Sequence, residues 1–204
     1  MNKQEELAKL KKEMEDDKSL PLREGATQLV FGDGNPDAEI YCLGEGPGYH
    51  EDQQGKPFVG QAGQLLNKLL ESIGLKREDV YISNVVRFRP PQNRDPLPEE
   101  ITAFQPYVDR EIEIINPKII VTLGRFSMGK FFPFVKISSV HGKPAVIEWQ
   151  NRKITVVPMY HPAAALRAGV IMQAIKEDFK VIPEVLKRLV EDIEKEKTEQ
   201  MSLV

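Results

Sequence analysis

Residues 44–60 set three glycines, Gly44, Gly46 and Gly48, around one acid, Glu45, then run through Glu51 and Asp52 to Gly55-Lys-Pro-Phe-Val-Gly60. Glycine lets a chain turn tightly and approach a ligand with its N–H groups free to donate. The spacing is not the Gly-x-x-x-x-Gly-Lys-Ser/Thr of a phosphate loop, and three acids would repel a phosphate, so the segment does not read as a triphosphatase. It offers instead a carboxylate beside a ligand. Phe58 either plugs the core or stacks on a flat heterocycle, the latter worth roughly 1–3 kcal/mol. Taken alone, the segment also reads as a plain strand-to-helix turn.

Asn84 sits at the end of an apolar run, where a buried amide needs partners. It either caps a turn or grips a heterocycle, donating to one atom and accepting from the adjacent N–H. His161 precedes Pro162, and proline suits the first position of a helix. Such a histidine is a cap or a satisfied, partly buried residue. In front of a departing anion its N–H would stabilise developing charge, commonly by roughly 3–4 kcal/mol. His50, His141 and His161 with Glu51 and Asp52 match no ligand spacing, and no metal is expected. Arg87, Arg89 and Arg94 precede the first nearby acid, Asp95, and Lys130, Lys136, Lys143 and Arg152 follow among few acids. They read as a solvated surface, or as a phosphate track if they share an edge with the motifs.

The elements that must position these residues alternate. Residues 3–16 have helical spacing. Residues 19–37 hold Pro21, Gly25, Gly32, Gly34 and Pro36 and read as an irregular strap. Ala38 to Leu43 is a buried strand that opens at Gly44. Ala62 to Ile73 puts Leu65, Leu66, Leu69, Leu70 and Ile73 on one helical face, stopped by Gly74. Val80 to Val86 is a strand, followed by a proline-rich loop; Glu99 to Ile115 is a helix and Lys118 to Leu123 a strand ended by Gly124. Ala145 to Trp149 and Lys153 to Val157 form a hairpin or a paired last strand. A helix starts near Pro162, and a long charged one closes the chain from about Gln173. Strands alternating with helices imply a mostly parallel sheet covered on both faces, with ligands beyond the carboxyl ends of the strands.

With 204 residues, 41% hydrophobic and 29% charged, the chain suits one domain, flanked by an N-terminal helix (1–18) and a charged C-terminal tail (190–204). A net charge of −3 argues against nucleic-acid binding by bulk charge but not against a local basic groove. Cys42 is the single cysteine, which rules out an internal disulfide. No signal-like N-terminus and no apolar run near the roughly 20 residues of a membrane span are present. A soluble cytoplasmic protein, with no membrane association, is expected.

Six segments taken in order resemble the family-four uracil-DNA glycosylases: Gly44-Glu-Gly-Pro-Gly with Glu51-Asp52, Gly55-Lys-Pro-Phe-Val-Gly, Ser83-Asn-Val-Val-Arg, Arg89-Pro-Pro-Gln-Asn-Arg, Ile119-Ile-Val-Thr-Leu-Gly and His161-Pro-Ala-Ala-Ala-Leu-Arg. The resemblance runs from about Val30 to Leu186. It implies an α/β fold, a three-layer α/β/α sandwich around a four-stranded parallel sheet, in a monomer. It implies hydrolysis of the N-glycosidic bond of a uracil flipped out of DNA. By motif, Glu45 and His161 would be catalytic, Glu45 at the water or the cationic sugar and His161 at uracil O2. Phe58 would stack on the base, Asn84 would read its edge, and Glu51 would crowd the C5 side. Leu166 would wedge into the vacated stack, with Arg167 and Arg89 on the DNA.

Three places depart from the family pattern. Its iron–sulfur cluster needs four cysteines, and Asp17, Leu20, Phe88 and Phe104 stand there instead, so no cluster or other cofactor is expected. Gly46 occupies the place of a water-activating Asp, which shifts weight to Glu45. His141-Gly-Lys replaces an Arg-Gly. A loop histidine is shared by a variant that bonds covalently to the abasic sugar, but that variant's basic insertion is missing. Two other readings stay open: a uracil- or DNA-binding protein without catalysis, and a glycosylase for another damaged base, since Gly48 replaces a bulky gatekeeper.

Overall fold

The computed structural model describes the backbone of residues 2–202 and the side chains of residues 2–192 and 195. Residues 203 and 204 of the charged C-terminal tail lie outside the described residues, as does Met1. The elements follow as α1 (Lys3–Asp16), β1 (Asp33–Gly34), β2 (Ile40–Gly44), α2 (Tyr49–Gln54), α3 (Gln61–Ser72), β3 (Tyr81–Asn84), α4 (Pro98–Ile115) and β4 (Ile119–Leu123). After them come α5 (Arg125–Gly129), α6 (Ile137–Val140), β5 (Ala145–Trp149), β6 (Arg152–Met159), α7 (Pro162–Ala165), α8 (Gly169–Phe179) and α9 (Val181–Ser202).

The sheet order is β1-β3-β2-β4-β6-β5. Its four central strands, β3, β2, β4 and β6, are parallel, as expected, and two antiparallel edges enlarge it to six. The β5–β6 edge follows from Gln150 and Asn151, whose φ of 48° and 61° match the twist of a two-residue hairpin. The strap supplies the other edge: Gly34, at φ 133°, lies so close to β3 that a Cβ there would run into the Val80 carbonyl.

Every residue of β2, β3 and β4 is buried, because helices cover both faces. Alternation along the strands feeds two cores. Tyr41, Leu43, Tyr81 and Ile120 pack with α1 and α4 through Leu10, Met14, Phe104 and Ile112. Ile40, Cys42, Ile82, Val121 and Leu123 pack with α3, α8 and α9 through Leu66, Leu70, Ile175, Phe179 and Ile182. From β2 the chain moves to β3 on one side and then to β4 on the other. The carboxyl end of β2, at Gly44 and Glu45, is therefore the switch point of the sheet.

Two expectations change. The closing helix is two helices, parted at Lys180. Pro183 explains the break, because its ring excludes the Phe179 carbonyl of a continuous helix. Arg87 is no surface residue: it is fully buried and its Nη2 donates to Glu111 Oε2 at 2.6 Å. Lys130 likewise pairs with Asp109, and Arg94 grips Glu100.

Candidate active site

The strand ends and the turn after β6 enclose a cavity of about 350 Å³. Glu45, Gly46, Glu51, Phe58, Asn84, His161 and Arg167 all line it, although they span more than half of the sequence. Arg89 and Leu166 lie outside the lining. Leu166 is 46% exposed at the end of α7, and the Arg89 guanidinium sits 5.2 Å from the Tyr49 ring centre, with its Nε donating to Asn93 Oδ1 at 2.6 Å.

Glu45 leaves β2 and points at the start of α5, where the Phe126 N–H donates to Oε1 at 3.0 Å. Gly124, at φ 109°, makes this possible, since a Cβ there would overlap the Glu45 carboxylate. Burial pushes the Glu45 carboxyl above the usual range; the Phe126 N–H pulls it back, the Asp95 charge raises it and Arg125 lowers it. Gly46 forms the wall beside it, and a Cβ there would press on Val86 at 2.8 Å.

Asn84 is 1% exposed, and its Oδ1 accepts no hydrogen bond. An unpaired buried amide oxygen is costly to keep. The side chain lines the cavity beside the Phe58 ring, its oxygen shut off from solvent, and Gly44 is the residue whose missing Cβ admits both. Phe58 has φ 52°, a strained conformation for a residue with a Cβ. Arg77 holds it there: Nη1 donates to the Phe58 carbonyl at 3.0 Å and Nη2 to the Pro57 carbonyl at 2.5 Å. From the other side Gly63 of α3 packs directly on the Phe58 backbone. The Phe58 ring is stacked on the His161 imidazole, with centres 5.6 Å apart.

His161 is the N-cap of α7, and its Nδ1 accepts from the Ala163 N–H at 3.0 Å. Burial, aided by Arg167 and opposed by Glu51, lowers its pKa to about 4. At neutral pH the ring is therefore uncharged, and with Nδ1 accepting, Nε2 carries the proton. Glu51 organises the opposite wall: Oε1 accepts from the Val59 N–H at 2.9 Å and the Gly60 N–H at 2.7 Å, and Oε2 from the Gly48 N–H at 3.1 Å. Asp52 turns away to hold the strap through the Thr27 N–H and hydroxyl.

The sequence suggested no site role for Arg77, Asp95 or Pro90. Pro90 and Asp95 line the cavity and Arg77 fixes its floor. The Arg89-Pro-Pro-Gln-Asn-Arg segment contains Pro90 and ends one residue before Asp95; Arg77 carries no such signal, because the carbonyls it holds lie 19 and 20 residues earlier.

The places of the four cluster cysteines do not fit an iron–sulfur cluster. Asp17 accepts from Ser19 and, at 2.7 Å, from the Tyr107 hydroxyl. Leu20 is buried, the Phe88 and Phe104 rings pack 6.1 Å apart, and Arg23 covers Phe88 at 4.9 Å. These groups supply no thiolate, and Cys42 lies within β2, its thiol pushed up to about 12 by burial. Among the described residues, no group of three or more His, Cys, Asp or Glu could hold a metal, and no helix is long and apolar enough to cross a membrane. His141 does not line the cavity; its Nδ1 is 2.8 Å from Asp178 and its ring packs on Tyr160.

Comparison with known proteins places this geometry in a family. The family profile described as the uracil DNA glycosylase superfamily matches residues 31–181. The chain is 48% identical to a type-4 uracil-DNA glycosylase of Sulfurisphaera tokodaii, over 88% of this chain and 84% of that one. It is 47% identical to the type-4 enzyme of Archaeoglobus fulgidus, over 80% and 85%, and 49% identical to that of Saccharolobus solfataricus, over 77% and 76%. With a matching profile over most of its length and these relatives, the chain belongs to the uracil DNA glycosylase superfamily.

Proposed function

We propose that the chain is a monofunctional uracil-DNA glycosylase that opens the C1′–N1 bond of a flipped-out uracil and leaves an abasic site. The observation that carries this reading is the Asn84 side chain, its Oδ1 unpaired, in the lining of a cavity whose neighbouring wall is Phe58 stacked on His161. Uracil presents an N–H at N3 for that oxygen and O4 for the Asn84 amide. Phe58 takes one face of the ring, held by Arg77.

The bond breaks towards an oxocarbenium-like sugar and a uracil anion. The neutral His161 donates Nε2–H to O2, where negative charge develops. A neutral donor gives its hydrogen bond without transferring a full charge into a buried site, and its strength grows as the base becomes anionic. Glu45, in its ionised form, faces the sugar, favours the cation and orients the water whose oxygen bonds to C1′. The water proton leaves to solvent, and the base picks up its proton after departure. Glu51, fixed by three backbone N–H groups, crowds the C5 side against a methyl. Exposed Leu166 fills the vacated stack, and Arg167 and Arg89 meet phosphates. The chain acts as one domain, as a monomer, without an iron–sulfur cluster; the apolar packing of Leu20, Phe88 and Phe104 supports the last point.

The test is an oligonucleotide carrying one uracil, incubated with the purified chain without added iron and then treated with alkali. Strand breakage that disappears in Glu45→Gln and His161→Ala is expected. Tight uracil-dependent binding with an intact strand would make the protein a reader on a glycosylase fold.

A further inference from the structure

Asp95 lines the cavity on the side of Glu45, although an acid there repels the polyanion the cavity must admit. The surrounding contacts order its backbone, while its side chain stays 66% exposed. Arg94 Nη1 donates to the Asp95 carbonyl at 2.9 Å, and the same guanidinium grips Glu100 with both Nη atoms, at 2.8 and 2.6 Å. The buried Pro96 follows. The Asp95 carboxylate is paired with Arg125, the first residue of α5. The next residue of α5, Phe126, is the one whose N–H holds Glu45. One ion pair thus ties the β3–α4 loop to the turn that fixes Glu45.

We propose that Asp95 and Arg125 are a positioning pair for this reaction, a clasp that fixes the Glu45 carboxylate in the cavity wall and sets its charge. The catalytic consequence rests on the glycosylase reading above. Asp95 disfavours the ionised form of Glu45 and Arg125 favours it, so each offsets the other while the pair is closed. Arg94 from the same loop, Glu51 from α2 and His161 and Arg167 from the α7 turn face the same cavity. All four remain when the clasp is cut, which isolates the pair.

Asp95→Asn and Arg125→Gln break the same ion pair, and a brace without electrostatic effect predicts the same change in both. The pair as proposed predicts opposite changes. The titration of the Glu45 δ-carbon, followed by carbon-13 NMR and assigned by its loss in Glu45→Gln, is expected to move to lower pH in Asp95→Asn and to higher pH in Arg125→Gln. With saturating uracil-containing oligonucleotide, the acid limb of kcat follows each shift, while the plateau falls about tenfold in both as Glu45 loosens. Asp95→Glu restores the parent profile. Unchanged Glu45 titration, or shifts of the same sign, overturns the proposal. A parent chain that releases no uracil overturns the glycosylase reading instead, and the NMR titration still decides the pair.

Discussion

Ser83 and Asn84 are neighbours on β3, both fully buried, and they face opposite sides of the sheet with opposite results. On the Ser83 side, Arg87 Nη1 donates to Ser83 Oγ and Nη2 to Glu111 Oε2, while the Tyr41 and Tyr81 hydroxyls donate to the same carboxylate. The two tyrosine rings stack 5.7 Å apart, and Gly32 leaves room where a Cβ would strike Tyr81 and Glu111. Burial and the Glu111 charge push both phenols well up, and Arg87 stays protonated. Of this network only Arg87 Nε lacks a partner. On the Asn84 side the amide oxygen is unpaired, Glu45 is pushed up, His161 is pushed down and Phe58 is strained. The first set of polar groups satisfies itself and fixes architecture. The second is held short of satisfaction, which is what a site awaiting a polar ligand requires.

That contrast can be broken at either end. Glu111→Ala leaves the Arg87 charge buried without its carboxylate, and a loss of about 3–5 kcal/mol in urea unfolding is expected. A loss below about 1 kcal/mol would remove the distinction between the two faces. On the cavity side, His161→Ala is expected to lower kcat on uracil-containing DNA by roughly 10²–10³ while leaving DNA affinity near the parent's, with the lost cap on the Ala163 N–H costing only about 1 kcal/mol of stability.

The pH dependence of stability sharpens the same point. His161 has a folded pKa of about 4 against an ordinary 6.5, so above pH 6.5 it imposes no penalty. As pH falls from 6.5 towards 4 the unfolded chain takes up a proton that the fold refuses, removing up to about 3 kcal/mol. His161→Gln should abolish that part of the acid loss when urea midpoints at neutral and acid pH are compared. Glu45 acts in the opposite sense: its raised pKa penalises the fold above the ordinary carboxylate range and relieves it as pH falls. The smallest effects belong to the base-holding residues. Phe58→Ala and Asn84→Asp should each cost about 1–3 kcal/mol in kcat/KM, with Asn84→Asp showing its loss on uracil specifically. Equal cleavage by the parent and Asn84→Asp would remove the reading role of Asn84.

Much of the scaffold was legible because its signals are local. Leu65, Leu66, Leu69 and Leu70 mark α3 by their spacing, the continuous apolar runs of β2 and β4 mark strands buried on both faces, and His161-Pro162 marks a helix start. The antiparallel edges were only half legible. Gln150-Asn151 announces a hairpin, whereas Asp33-Gly34 becomes a strand only because β3 is there to pair with it.

The sequence by itself determined the strand–helix alternation, the glycine turn that ends β2 and the residue types at the cavity, since backbone sterics and hydrophobic periodicity act over a few residues. The tertiary structure decided which charges are buried. Arg87 and Arg89 stand two residues apart with the same chemistry, yet one meets Glu111 in the core and the other lies against Tyr49 at the surface. Asp95 with Arg125, and Arg77 with the Phe58 carbonyl, are joined only by strand order, across 30 and 19 residues. A charge's environment is a sum over everything packed around it, and only the folded chain brings those neighbours together.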